Sequence, residues 1–303
     1  MHTFAKVKSI GHPTGATDAE VAKTELNGKK CVVAGFGESA YGRPGATGED
    51  AVETALMRTL QRMGAGSLCA PRGWTEQGGE ELADTFEKCD ILFFIGQKLT
   101  FGDKDKKRTW RLNVDATKYA LTAAEEAGIK RVVMLGSILS LGHRQDRQPV
   151  DASTPYLSDD ERTVCERSLF KQEMLAWEMA ERGMAVSVVC GGWPITFLEA
   201  NATEVGQNPQ WLDNDIIARH PGAFCTAQAI ADALVAAAED SMTGKRLICT
   251  GIETNKLKTN NRANWLKGMM RKITDKEGAA SAIKVLERTG AYSSDFAVRP
   301  LVD

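Results

Sequence analysis

The sequence predicts an α/β protein with a Rossmann-like, doubly wound parallel sheet and a small C-terminal substrate lobe. Short apolar runs alternate with longer segments of helical periodicity through most of the 303 residues, a pattern typical of βαβ units. The clearest unit runs from Cys89 to Gly142, where strand, helix and strand follow at βαβ spacing. Right-handed crossovers then produce a parallel sheet whose ligands bind at the carboxyl ends of its strands.

The individual elements follow from these runs. Strands are predicted at 30–35, 67–70, 90–95, 131–135, 185–190 and 246–250. Helices are predicted at 50–63, 80–87, 110–127, 163–182 and 227–239, with one more near 276–288. No clear strand is readable between the second and third runs.

Three regions follow from this order. Residues 1–29 form an N-terminal extension, and residues 30–192 form the Rossmann-like nucleotide-binding core. Residues 193–303 are a mixed region that supplies the last core helix and strand (226–250) and the substrate lobe.

Composition excludes several classes of function. A net charge of −2 gives no basic surface for nucleic acid, and no apolar run reaches the roughly 18 residues that a membrane span needs. The seven cysteines form no CxxC pair and no metal site is predicted. With no secretory signal readable at the start, we expect a cytoplasmic protein whose partner is a small-molecule substrate.

Two segments of the clearest unit resemble a known superfamily. The helix opens on Asn113-Val-Asp-Ala-Thr117, and the second strand ends in Gly136-Ser-Ile-Leu-Ser-Leu-Gly142. This order resembles the extended short-chain dehydrogenase/reductases, in the NAD(P)-dependent epimerase/dehydratase branch, over about residues 30–250. The resemblance implies that Ser137 hydrogen-bonds the substrate oxygen and that Asn113 steadies the site. A homodimer is a frequent arrangement in this superfamily, and the sequence leaves the oligomeric state open.

The catalytic Tyr-x-x-x-Lys pair of that superfamily is missing. Judged by the distance to the strand at 185–190, Cys165 takes the tyrosine position and Leu169 takes the lysine position. A two-residue slip places Arg167 and Lys171 there instead, which restores the lysine but not the tyrosine.

Three residues are candidates to replace the missing proton donor. Cys165 carries a thiol that can transfer a proton, although a cysteine on a helix face is more often packed. Tyr156 precedes the helix and is either a substitute phenol or a packed loop aromatic. His143 follows the Ser137 strand and is a candidate general base.

A glycine-rich segment after the first strand is the predicted dinucleotide cradle. Gly35, Gly37, Gly42 and Arg43 belong to it, because glycines let the main chain approach a pyrophosphate. The segment is longer than the family's turn, and an exposed loop with turn glycines is the alternative interpretation. The cofactor set is completed by two residues at strand ends, Arg72 and Gly96.

The predicted cofactor is NADP or NAD. Arg72 follows the second strand, where a basic residue favours the 2′-phosphate of NADP.

The resulting hypothesis is an atypical NAD(P)-dependent oxidoreductase or epimerase acting on a small carbonyl or alcohol substrate. Two alternatives remain open. One is a non-redox enzyme, a lyase, isomerase or dehalogenase, on the same scaffold. The other is an NmrA-like protein that senses NADP(H) without turnover. Fold alone does not choose among these, because function depends on the site.

Overall fold

The computed structural model describes a large part of the chain. It covers residues 25–36, 47–71, 73–77, 80–99, 105–142, 150, 154–156, 158, 162–194, 224–225, 227–250 and 297–300. Five predicted site residues lie outside this part, namely Gly37, Gly42, Arg43, Arg72 and His143. The helix predicted near 276–288 and most of the predicted lobe also lie outside it.

A seven-stranded sheet organises the described residues. In chain order the strands are β1 (Lys30–Ala34), β2 (Gly66–Cys69), β3 (Ile91–Phe94), β4 (Arg131–Ser137), β5 (Ala185–Gly191), β6 (Trp193–Pro194), β7 (Phe224–Cys225), β8 (Arg246–Thr250) and β9 (Ala297–Pro300). The sheet has the order β2-β1-β3-β4-β5-β8-β9, while β6 and β7 pair separately. Its first six strands are parallel, and β9 is antiparallel to β8.

Helices cover both faces of this sheet. They are α1 (Thr47–Arg62), α2 (Trp74–Gln77), α3 (Glu80–Phe86), α4 (Lys106–Trp110), α5 (Thr117–Glu126), α6 (Val164–Glu181) and α7 (Ala227–Ala236). Helices α3, α5 and α6 pack in one apolar cluster, and α1 and α7 pack in the other. Among the described helices, none is both long and apolar enough to cross a membrane.

Burial on both faces explains the continuous apolar runs that predicted the strands. All seven residues of β4 are buried, as expected for a parallel strand covered by helices on each side. Gly136 allows β4 and β5 to approach, because a Cβ at this position would lie 2.7 Å from Val188 Cγ1. The predicted Rossmann-like fold is confirmed, and each of the six predicted strands is present.

The fold also contains features that the sequence did not predict. The helix predicted at 110–127 is interrupted by a π-helical segment, Arg111–Ala116, between α4 and α5. Strand β9 escaped prediction because half of its four residues are Arg299 and Pro300, so no apolar run marks it. A proline is tolerated there because β9 is an edge strand.

The strand order indicates where a ligand would bind on this sheet. The chain passes from β1 to β2 on one side and returns to β3 on the other. The carboxyl ends of β1 and β3 therefore form the topological switch point, where open α/β sheets bind their ligands.

Candidate functional site

Ser137 lies at the carboxyl end of β4 with its hydroxyl proton available. Its Oγ accepts a hydrogen bond of 3.3 Å from Leu139 N, and so caps the 3₁₀ turn Ile138–Ser140. Within the described residues, no acceptor is hydrogen-bonded to the Ser137 hydroxyl proton. Because a hydroxyl donates one bond and accepts two, this side chain can still donate to a ligand oxygen.

Asn113 joins three parts of the fold from the π-helical segment. Its Oδ1 accepts from Lys98 N at 2.7 Å, and its Nδ2 donates to Lys98 O at 2.8 Å. The same Nδ2 donates to Ser168 Oγ on α6 at 2.8 Å. The wholly buried amide thus fixes the segment after β3 against α6. π-Helical turns frequently mark functional sites, and this one carries a predicted site residue.

Helix α6 begins with a capping box. Thr163 Oγ1 accepts from Glu166 N at 3.2 Å, and Glu166 Oε2 accepts from Thr163 N at 2.7 Å. This pair satisfies two main-chain donors at the helix start and fixes where the helix begins.

The two residues at the predicted dyad positions face inward from α6. Cys165 and Leu169 are both buried, and Cys165 Sγ lies 3.8 Å from Lys98 O. In the alternative register, Arg167 is exposed, and Lys171 pairs with Glu178 at 2.9 Å on the surface. None of the four tyrosines in the sequence has a lysine four residues later.

One turn further along, Glu173 is the centre of a buried polar cluster, the Glu173 cluster. Its Oε1 accepts from Tyr156 OH at 3.3 Å and from Trp177 Nε1 at 3.1 Å. Its Oε2 accepts from Ser140 Oγ at 2.9 Å. Arg246 Nε, at the start of β8, donates to Oε1 in a buried ion pair. The cluster therefore connects α6, β8, the turn after β4 and the loop of Tyr156.

Electrostatics in the Glu173 cluster follow from its burial. Desolvation raises the pKa of Glu173 to about 7, while the hydrogen bonds from Trp177 and Ser140 act to lower that pKa. Desolvation also lowers the pKa of Arg246 to about 10, so its guanidinium stays charged at neutral pH. The guanidinium lies over the Tyr156 ring, 4.5 Å from its centroid.

Three aromatic rings pack together next to the switch point. The Phe36 ring packs against Phe94 and Trp74, with centroid separations of 5.9 and 6.1 Å. A Cβ on Gly96 would lie 2.7 Å from the Phe36 ring, so the glycine is required there. Trp74 Nε1 donates to Gly35 O at 2.7 Å and holds the end of β1.

Gly35 and Gly96 lie at the carboxyl ends of β1 and β3, beside the switch point where a dinucleotide would bind. Both glycines are buried, and the Phe36 ring packs against Gly96. Gln97 Nε2 donates to Leu135 O at 2.8 Å and fixes the end of β3 to β4, between the switch point and Ser137.

The predicted site residues thus fall into three neighbouring groups. Ser137 and Tyr156 meet through the Glu173 cluster, Asn113 and Cys165 meet at Lys98, and Gly35 and Gly96 flank the switch point. Their catalytic and binding roles stay predictions.

Sequence reasoning missed Glu173, Ser140 and Arg246. Glu173 carried a signal, because it lies four and eight residues after two buried positions, Leu169 and Cys165, on one helix face. Arg246 carried none, because a basic residue at the start of a strand is more often solvated.

Comparison with known proteins supports the fold. No family model matches the sequence. A protein from Synechocystis sp. called dihydroflavonol 4-reductase is 28% identical over 129 residues, which are 42% of this chain. The match spans 37% of that protein's length.

Solved structures extend this similarity over most of the chain. A short-chain dehydrogenase/reductase superfamily protein from Agrobacterium tumefaciens with bound NAD is 15% identical, with a TM-score of 0.55. The match covers 86% of this chain and 98% of that one. UDP-N-acetylglucosamine 4-epimerase from Bacillus cereus is 12% identical, with a TM-score of 0.52, over 76% of this chain and 83% of that one. These matches show that the chain shares the Rossmann-like fold of these proteins.

Proposed function

We propose that the protein is an NAD(P)-dependent oxidoreductase or epimerase that acts on a small carbonyl or alcohol substrate. The observation that carries the proposal is the Ser137 hydroxyl at the carboxyl end of β4. Its oxygen is held by Leu139 N, and its proton has no acceptor among the described residues. The similarity to a protein called a reductase and to structures of reductases and epimerases supports the same class.

In this proposal Ser137 donates a hydrogen bond to the substrate oxygen. A donor fixed before the reaction stabilises negative charge that develops on a carbonyl oxygen. The bond from Leu139 N orients the Ser137 hydroxyl. A nicotinamide cofactor bound at the switch point would supply or accept the hydride.

Asn113 supports this site from the side. Its amide holds both main-chain polar groups of Lys98, so the segment after β3 keeps one position relative to α6. We propose that this segment borders the nicotinamide end of the cofactor, with Gly35 and Gly96 beneath the other end.

The proton donor is proposed among Cys165, Tyr156 and His143. Cys165 Sγ is 3.8 Å from Lys98 O, next to the segment that Asn113 holds. The Tyr156 hydroxyl donates to Glu173, so it must exchange that bond to reach a substrate.

A second candidate function follows from Leu169. The superfamily resemblance implies a lysine here that grips the nicotinamide ribose, whereas this chain has a buried leucine. That substitution favours the alternatives of a non-redox enzyme or of a protein that senses NADP(H). Fluorescence titration with NADPH and NADH separates them: a non-redox enzyme binds neither, whereas a sensor binds without turnover.

The test of the main proposal uses NADPH binding and turnover of a carbonyl panel. We expect NADPH to bind more tightly than NADH, because of Arg72 and Arg43, and to raise Tm. We expect Ser137→Ala to bind NADPH as the wild type does but to lose turnover about 100-fold. Ser187→Ala is the matched control, because Ser187 is an equally buried serine on β5 whose hydroxyl donates to Met242 O.

Two results would contradict the proposal. If neither dinucleotide changes Tm or quenches fluorescence, the cofactor assignment fails. If Ser137→Ala keeps full turnover, Ser137 is not the residue that polarises the substrate.

A further inference from the structure

We infer that Glu173 is a positioning residue for Ser137 and that it acts through Ser140. This inference rests on the function proposed above, because it gives Ser137 a role to be positioned for. The connecting atom is Ser140 Oγ, which lies 2.8 Å from Ser137 O and 2.9 Å from Glu173 Oε2.

Few other hydrogen bonds hold the turn between Ser137 and Ser140. Ser137 Oγ caps it at one end, and Leu141 N donates to Ile138 O at 3.1 Å. Just after the turn, Gly142 N donates to Pro155 O at 2.7 Å. Ser140 is fully buried, so water does not replace its hydrogen bonds. Among the described residues, the bond from Ser140 to Glu173 is therefore the hydrogen bond that joins this turn to α6, beside the apolar packing of Ile138 and Leu139.

The Ser140 hydroxyl has one proton and two neighbouring acceptors. When Glu173 is ionised, the proton goes to the carboxylate, because bonds to charged acceptors are stronger. When Glu173 is protonated, it can donate to Ser140 Oγ, and Ser140 then donates to Ser137 O. The protonation state of Glu173 therefore decides whether the Ser137 carbonyl has this donor.

The groups around Glu173 set that protonation state. Arg246 contacts the carboxylate and favours its ionised form, whereas burial favours the neutral form. The Cys190 thiol lies 4.0 Å from Oε2, and burial raises its pKa well above the usual range, so it stays neutral. Tyr156 and Trp177 donate to the other oxygen. Arg246 is thus the one charged group that faces Glu173 among the described residues.

The same carboxylate also holds Tyr156. Its hydroxyl bonds Oε1 at 3.3 Å, and its ring lies under the Arg246 guanidinium. One buried carboxylate therefore fixes both the turn of Ser137 and the loop that carries another candidate catalytic residue.

The test uses the full chain with Glu173→Gln, Ser140→Ala and the double variant. Hydrogen exchange of the Leu139 and Leu141 amides reports the turn in the protein without cofactor. The kcat and KM for the carbonyl and NADPH report the site. Arg131→Met is the control, because it removes buried hydrogen bonds at the other end of β4 from Ser137 and leaves the Glu173 cluster intact.

We expect each single variant to speed exchange at Leu139 and to lower kcat by about tenfold, the effect of one lost hydrogen bond to a charged group. KM for NADPH stays unchanged. The double variant is no worse than Ser140→Ala, because both changes remove the same charge-assisted hydrogen bond. In the wild type, kcat changes between pH 6 and 8.5, around the Glu173 pKa of about 7, and this dependence disappears in Glu173→Gln.

The following outcomes decide the inference. Unchanged exchange at Leu139 in both single variants overturns it, as do additive effects in the double variant. If Glu173→Gln fails to fold, faster exchange and lower kcat in Ser140→Ala uphold the connection, and wild-type values overturn it. If the wild type binds neither dinucleotide, the proposed function fails, while the exchange data still decide whether Glu173 holds the turn.

Discussion

Arg131 and Arg246 are each the first residue of a strand and are each 7% exposed, yet their surroundings differ. Arg131 reaches the end of α7, where its Nη2 donates to Glu239 O and, at 3.1 Å, to Ala237 O. Its Nη1 donates to Thr243 Oγ1 at 2.8 Å and to Asp240 at 3.2 Å. A cation here satisfies the carbonyls that a helix leaves unpaired at its C-terminus.

Arg246 instead pairs with a carboxylate that has no access to water. Glu173 is 1% exposed, whereas the Asp240 side chain is 90% exposed. Two aromatic rings, those of Tyr156 and Trp177, enclose the guanidinium at 4.5 and 5.7 Å.

This difference indicates which of the two buried arginines contributes more to the stability of the fold. If Arg131 is removed, the buried carbonyl of Ala237 loses one donor, whereas Glu239 and Asp240 are exposed and can be hydrated. If Arg246 is removed, Glu173 is left in an apolar interior, where an unpaired charge is costly. The same burial at the two arginines therefore predicts different consequences.

The largest expected effect comes from Arg246→Met at pH 8.5. The free energy of unfolding should fall by about 3–5 kcal/mol, the usual cost of breaking one side of a buried ion pair. Urea denaturation measures it.

Lower pH should reduce this loss. Burial already raises the folded-state pKa of Glu173 from 4.5 to about 7, and loss of Arg246 raises it further. An acid with a raised folded pKa contributes stability below its unfolded pKa and loses it as pH rises through the folded value. The gap between variant and wild type should therefore be small at pH 6 and open above about pH 7. A gap independent of pH would mean that lost packing, not the carboxylate, is responsible.

Arg131→Met should cost less, about 1–3 kcal/mol, because it removes hydrogen bonds without stranding a buried charge. The same urea series measures it. Its cost should stay constant between pH 6 and 8.5, because no buried carboxylate depends on it. A loss equal to that of Arg246→Met at pH 8.5 would remove the distinction between the two arginines.

The double variant Glu173→Gln/Arg246→Met should recover much of the loss seen in Arg246→Met at pH 8.5. Glutamine is neutral, yet its Oε1 can still accept from Tyr156 and Trp177, so we expect a net cost of about 1–2 kcal/mol. If the double variant is less stable than Arg246→Met, the charge on Glu173 is not what makes the single variant unstable.

The strands were predictable because a parallel sheet covered on both faces requires continuous apolar runs. The run of β4, Arg131-Val-Val-Met-Leu, carries that signal along the chain. Ser137 and Asn113 were found differently, because each lies in a short motif that resembles one of the superfamily's, and their roles stay predictions. Local patterns identify such residues without any knowledge of their neighbours.

The Glu173 cluster could not be predicted in the same way. Its ion pair joins residues 73 apart in sequence, and its hydrogen bonds to Ser140 and Tyr156 cross from α6 to other elements. A sequence shows that Glu173 shares a helix face with Leu169, but not that Arg246 meets it there. The π-helical turn at Asn113 was hidden for a related reason, because its hydrogen bonds join Asn113 to Lys98 and Ser168, which are 15 and 55 residues away in sequence.

The smallest expected effect comes from Arg182→Ala, which extends the comparison to an exposed arginine. Arg182 follows α6 and forms two hydrogen bonds with Glu125 at the end of α5, so its geometry matches that of a strong pair. Both side chains are exposed, however, and water replaces the partner of each when the other is removed. We therefore expect a Tm equal to that of the wild type, measured by differential scanning calorimetry at low and moderate salt. A loss as large as that of Arg131→Met would show that pair geometry, rather than burial, determines what an arginine contributes in this fold.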